Sequence, residues 1–195
     1  MKLLKELNQK TENIEDFIKD MSHNISKILA LDPGTKYLGV AAFEGEYLLD
    51  WKIKSFRGKY DREKQKKILQ AINHLVDEYS ADILVLKKKR YYSDNLNALI
   101  QEIQHCSRYK GLKLYRYSLK ETEDFFISDG KKNTSNLATI MVAKYPEMGF
   151  IFNKEQSNQR EYYSRMFKTV ALGVMCFYEL EKINPGFFNN TFPAK

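Results

Sequence analysis

Apolar and polar residues fall in blocks along this chain, and the period of the pattern changes from block to block. From Lys27, "KILALD" and "LGVAAFEG" are apolar runs of strand length, separated by the turn "PGTKY" and closed by a hairpin turn at Glu44–Gly45. "EYLLDWKIKSF" predicts a third strand. Over Asp61–Tyr79 the period becomes helical, with Ile68, Leu69, Ile72, Leu75, Val76 and Tyr79 forming one apolar face. "ADILVL" then predicts a fourth strand. Its unbroken apolar character implies burial on both faces, a central position and a parallel partner in the first strand. A second helix is expected at about Asp94–Tyr109, where Leu96, Leu99, Ile100, Ile103 and Cys106 make a stripe, and a fifth strand at "LKLYRYS" after the break at Gly111. Further helices are expected over Leu119–Phe126, Ser135–Lys144 (ended by Tyr145–Pro146) and about Arg160–Lys182, with "SDGKKNTS" as a loop.

Ahead of this body, Leu3, Leu4, Leu7, Ile14, Phe17, Ile18 and Met21 have partly helical spacing, with Thr11 or Asn13 as a cap between two short segments. The expected organisation is a helical extension at 1–26, an α/β domain at 27–183 and a tail at 184–195 containing "GFFNNTF". The extension and the tail are the segments available to dock a protein partner, a flexible terminus being the alternative for the extension.

Composition narrows the class. Across 195 residues, 43% hydrophobic and 13% aromatic content is that of a globular chain. No apolar run approaches the length of a membrane span, and the charged N-terminus lacks the apolar core of a signal peptide, so a cytoplasmic, non-membrane protein is expected. Cys106 and Cys176 read as buried free thiols, and His23, His74 and His105 have no metal-ligand spacing. The net charge of +7 suits a polyanionic partner, because lysines and arginines that neutralise phosphates release counterions.

"ALDPGTKYLGVA" is the most specific segment: an Asp ending the first strand, then Pro-Gly-Thr, then a Gly two residues past the next aromatic. It resembles the opening of the RuvC-type Holliday-junction resolvases. "YSLKETEDFFISDGKKNTSNLATIMVAKYPEM" and "YYSRMFKTVALGVMCFYEL" are similar to that family's basic-loop region and final helix, so the resemblance covers roughly residues 27–182. The element order agrees with it. The resemblance implies an α/β fold of the RNase H-like type, a mixed five-stranded sheet with helices on both faces. It also implies that Asp32 stands where the family binds catalytic Mg2+, and that Thr35 and Lys36 in the turn and Lys131 and Lys132 in the loop lie near nucleic-acid phosphates. In the family the helix equivalent to 94–109 helps form a homodimer that receives a four-way junction, although core packing accounts for the same stripe.

The catalytic requirement is where the chain departs from the family. Two-metal phosphodiester hydrolysis needs several carboxylates converging on cations about 3.5–4 Å apart. The family supplies them from the first strand, the end of the fourth strand and the start of the last helix. Asp32 is present, but Lys87 follows "ILVL" where the family has Glu, and Lys168 stands before "TVALG" where it has Asp. Arg165, one turn earlier, occupies the place of a fourth acid found in some relatives. A register slip of one or two residues selects Lys88 or Lys89 and restores no acid, and Glu161 is two helical turns from Lys168. Protonated ammonium groups have no lone pair to donate and repel a divalent cation. Lys87 and Lys168 can instead fill the metal positions as an ionic cluster with Asp32, or hold a phosphate as point charges.

Around them Lys88, Lys89, Arg90, Lys131, Lys132 and Arg165, interleaved with Tyr91 and Tyr92, suit backbone contacts and base stacking, a solvated rim being the plainer alternative. The expectation is therefore a catalytically inactive relative of the resolvases that binds branched or structured DNA without cutting and needs no cofactor. The alternatives are an active Mg2+-dependent crossover junction endodeoxyribonuclease and a structural subunit of a larger assembly.

Overall fold

The computed structural model describes residues 25–88, 93–128, 132–158 and 161–182. Residues 1–24 of the expected extension, the tail 184–195, and Lys89, Arg90, Tyr91, Tyr92 and Lys131 lie outside the described residues. Five strands form one sheet: β1 (Lys27–Asp32), β2 (Tyr37–Glu44), β3 (Tyr47–Ser55), β4 (Ile83–Lys88) and β5 (Lys113–Ser118), in the spatial order β3-β2-β1-β4-β5. The first three are linked by tight turns and pair antiparallel, while β4 pairs parallel to β1 and β5 parallel to β4. Each parallel step is made through a helix, as parallel neighbours require. These are α1 (Arg62–Glu78) before β4 and α2 (Asp94–Tyr109) before β5. The remaining helices are α3 (Leu119–Phe126), α4 (Thr134–Lys144), α5 (Gly149–Asn158) and α6 (Glu161–Leu180), with a 3-10 turn at Pro146–Met148 between α4 and α5. This is the expected mixed five-stranded sheet of the RNase H-like architecture.

The two-residue period of the strands divides the core into two layers. Leu29 and Leu31 of β1 and Leu84 and Leu86 of β4 face α1 and α2. Ile28, Ala30, Ile83 and Val85 face the opposite layer, where α3, α4 and α6 pack. The stripe of α2 is buried within the chain: Leu96, Leu99, Ile100 and Ile103 join the first layer, and Ser107, one turn beyond Ile103, completes the row in place of the half-buried Cys106. α6 is the central helix of the second layer. Its approach to the sheet is close, since a Cβ on Gly173 would lie 2.1 Å from Cε2 of the Phe43 ring. Among the described residues, no helix is long and apolar enough to cross a membrane.

Candidate functional site

Even-numbered residues of β1 point toward α6, and Asp32 is the last of them. On β4 the odd-numbered residues share that face, and after Ile83 and Val85 comes Lys87. The parallel register pairs Leu31 with Leu86, so one further step sets Asp32 beside Lys87. Both lie at the C-terminal ends of neighbouring parallel strands, where open α/β sheets form their ligand crevice. Opposite Asp32 on its other side, the antiparallel register places Gly39. A Cβ there would fall 2.3 Å from Thr169 Oγ1, 3.2 Å from Arg165 Cγ and 3.3 Å from Asp32 Cβ. Only glycine lets α6 sit this low on the sheet, and that seat brings Arg165 onto the strand end.

The result is a carboxylate held by two cations. Asp32 is fully buried. Its Oδ2 accepts a hydrogen bond from Lys87 Nζ at 2.6 Å, and the lysine side chain is only 12% exposed. Arg165 Nη1 lies 3.3 Å from Asp32 Oδ1 and donates to the Asp32 carbonyl oxygen, also at 3.3 Å. Oδ1 itself, although within ion-pair distance of the guanidinium, accepts no hydrogen bond among the described residues. Thr169 Oγ1, beside Gly39, donates to the Arg165 carbonyl at 2.8 Å, which satisfies a hydroxyl with no exposure. Lys168 lies one turn further along α6 than Ser164. Its half-buried ammonium donates to Ser164 Oγ at 3.4 Å and stands near Glu123 of α3. Burial pushes the Glu123 carboxyl above its ordinary range, and the positive charge of Lys168 opposes that shift. α3 is fixed at this end of the sheet by a capping box in which the Ser118 side chain accepts from Glu121 N and Ser118 N donates to Glu121 Oε2.

The Mg2+ that such a site would imply does not fit these residues. The carboxylate is engaged by an ammonium and a guanidinium, neither of which donates a lone pair. Among the described residues, no group of three or more His, Cys, Asp or Glu is placed to hold a metal ion.

With that geometry in view, the chain can be compared with known proteins. No protein-family model matches it, and it has no match among curated proteins. Solved structures do match. RuvC of Thermus thermophilus superposes with a TM-score of 0.61 at 11% identity, over 80% of this chain and 97% of that one. The same protein in complex with a Holliday junction substrate gives 0.60 at 11% identity, over 81% and 97%. Fowlpox virus resolvase in complex with Holliday junction DNA gives 0.53 at 15% identity, over 79% and 98%. The chain has the fold of the RuvC-type resolvases. The likeness runs through nearly the whole length of each resolvase chain and about four fifths of this one.

The other residues singled out from sequence are distributed around the cluster. Thr35 is half-buried and Lys36 exposed, in the turn between Asp32 and β2. Lys88 is exposed at the end of β4, close enough for its charge to help lower the Glu121 carboxyl, chiefly held down by its hydrogen bond with Ser118. Lys132 is exposed and ion-paired with Asp124 at 2.7 Å. Lys89, Arg90, Tyr91, Tyr92 and Lys131 lie outside the described residues. Arg165, grouped from sequence with the residues around the cleft, reaches into the cluster. Sequence reasoning noted Gly39 only as part of the opening motif, without a place in the site, and missed Thr169 and Glu123 altogether.

Proposed function

We propose that this protein is a RuvC-like nucleic-acid-binding protein that holds branched or structured DNA at the strand-end crevice without cutting it. The observation that carries the reading is the Lys87–Asp32–Arg165 cluster, in which cations stand on the only acid retained from the family's set. With Lys168 and Glu123, three cations face two carboxylates, leaving a surplus positive charge at the crevice. Such a surplus attracts a phosphodiester and repels Mg2+. In this proposal Asp32 anchors and orients Lys87 and Arg165, Lys168 is the cation nearest the rim, and Lys36, Lys88, Lys89, Arg90, Lys131 and Lys132, with Thr35, contact the backbone. Tyr91 and Tyr92 stack on exposed bases. The structures of resolvases bound to Holliday junctions favour a four-way junction over a linear duplex as the shape tested first.

The same proposal includes a cytoplasmic protein whose extension 1–26 or tail 184–195 docks a protein partner. A homodimer through the helix at 94–109 would use its outward polar face, because its apolar stripe is buried in the core.

Fluorescence anisotropy with a labelled four-way DNA junction and a linear duplex of equal length tests the reading. Tighter binding of the junction, falling steeply with salt, is expected. Lys88→Glu combined with Lys132→Glu should weaken it and reduce the log–log salt slope by about 2. Absent or salt-insensitive binding to both would favour a purely structural subunit.

A further inference from the structure

On the side of Asp32 away from β4, the chain builds a second basic and aromatic surface. Lys36, Tyr37, Ser55, Phe56, Arg57 and Tyr162 line an open groove of about 330 Å3. A second groove, of about 350 Å3, shares Ser55, Phe56 and Arg57 with it and continues past Gly58 and Lys59 to the start of α1. The backbone joins the two walls, Phe56 N donating to the Lys36 carbonyl at 2.9 Å. The floor is aromatic. Tyr37 and Tyr162 meet edge-to-face with centroids 6.0 Å apart, and Tyr162 makes the same contact with Tyr163 at 5.3 Å. Lys36 Nζ lies 5.2 Å from the centre of the Tyr37 ring.

The cations divide into two kinds. Lys67 is ion-paired with Glu63 at 2.6 Å, and the buried Lys64 donates to the Gly58 carbonyl at 2.8 Å. Asp61 is occupied in capping α1, accepting from Lys64 N. Lys36, Arg57 and Lys59 are exposed and enter none of the ion pairs formed among the described residues. Three outward cations therefore border a partly exposed tyrosine floor. Two of its lining residues are close to the Asp32 cluster along the chain, Tyr37 following Asp32 through the turn and Tyr162 standing one helical turn before Arg165.

We infer that this groove is a single-strand subsite, binding an unpaired nucleic-acid segment as it leaves the strand-end crevice. The inference rests on the proposed nucleic-acid function and assigns it a second contact. Lys36, Arg57 and Lys59 bind successive phosphates, and Tyr162, with Tyr37 beneath, offers its face to an unstacked base. A paired duplex shields the faces of its bases and presents only their edges, so the aromatic floor selects for single-stranded character.

The test uses the full chain, a short single strand carrying one 2-aminopurine, and a blunt duplex of matching sequence. The expected result is quenching of the 2-aminopurine on binding. Tyr162→Ala should lower single-strand affinity about tenfold and lose the quenching, and Tyr162→Phe should retain both. Arg57→Glu with Lys59→Glu should weaken single-strand binding about tenfold or more and lower its log–log salt slope. These positions are exposed or partly exposed, so melting temperatures should match the parent. Variants that bind the single strand as the parent does, while the parent still binds a four-way junction, overturn the subsite alone. Equal weakening of single strand and duplex overturns its single-strand character. A parent that binds no nucleic acid overturns the functional reading on which the subsite rests.

Discussion

An ammonium 2.6 Å from a carboxylate with no exposure is a contact whose loss has a definite consequence. Lys87→Met would remove the donor to Asp32 Oδ2 and leave Arg165 as an imperfect partner, because Oδ1 accepts no hydrogen bond from it. Breaking a buried pair on one side is strongly destabilising, so a loss of about 3 kcal/mol is expected in urea unfolding. The double variant Asp32→Asn, Lys87→Met should recover only part of that loss, because the buried Arg165 keeps the Asp32 carbonyl as an acceptor but loses the Asp32 carboxylate. Asp32 and Lys87 were legible through the resemblance, since Asp32 ends "KILALD" and Lys87 follows "ILVL", where the family carries acids. Whether Arg165 or Lys168 would reach Asp32 was not. Both lie near the start of the same helix, and the seating of α6, with its Thr169 and Arg165 against Gly39, is a property of packing.

At the scale of elements, the seat of α6 on the sheet links stability to the site. Gly39→Ala and Gly173→Ala should both overpack the layer and cost about 1–3 kcal/mol each. Their functional effects should differ. Gly39→Ala pushes on Thr169 and Arg165 and should also weaken junction binding, whereas Gly173→Ala meets the Phe43 ring and should leave the affinity of the folded protein near that of the parent. Anisotropy titrations at a temperature where both variants are folded separate the two. β3 and the end of α1 are tied by another cluster, in which Tyr79 OH donates to Asp50 Oδ2 and Lys52 pairs with the same carboxylate. Burial alone would raise the Asp50 carboxyl, but the hydrogen bonds from Lys52 and Tyr79 outweigh it and hold the group below its ordinary 3.8. Burial likewise opposes the charge on Lys52, yet Asp50 and Tyr79 lift it above its ordinary 10.5. The stabilisation is therefore full between those two values, lost as pH falls below 3.8 and lost again well above 10.5. Melting temperatures of the parent and Asp50→Asn should differ at neutral pH and converge in acid, the difference corresponding to about 1 kcal/mol or less for so exposed a pair. Most elements were readable from apolar period and capping residues. α5 was not, because "GFIFNKEQSN" has too few apolar positions to mark a face, and packing such as Phe152 against Phe167 supports it.

For the molecule as a whole, a resolvase fold carries a net charge of +7 and cations on its one retained acid. The fold was legible because the opening motif and the element order agree. Lys87 and Lys168, where the resemblance leads one to expect acids, were read from residue identity alone, and the loss of carboxylates there belongs to the proposal. The second basic groove was not, since Lys36, Arg57 and Tyr162 come from three separate segments that only the folded chain brings together. Cleavage measures the central claim most directly. A labelled four-way DNA junction, incubated with excess protein in Mg2+ and separately in Mn2+, is resolved on a denaturing gel after a native gel has verified that the junction is bound. Intact strands from the bound junction are the predicted result. Metal-dependent nicks near the branch point by the protein as it stands would contradict the account.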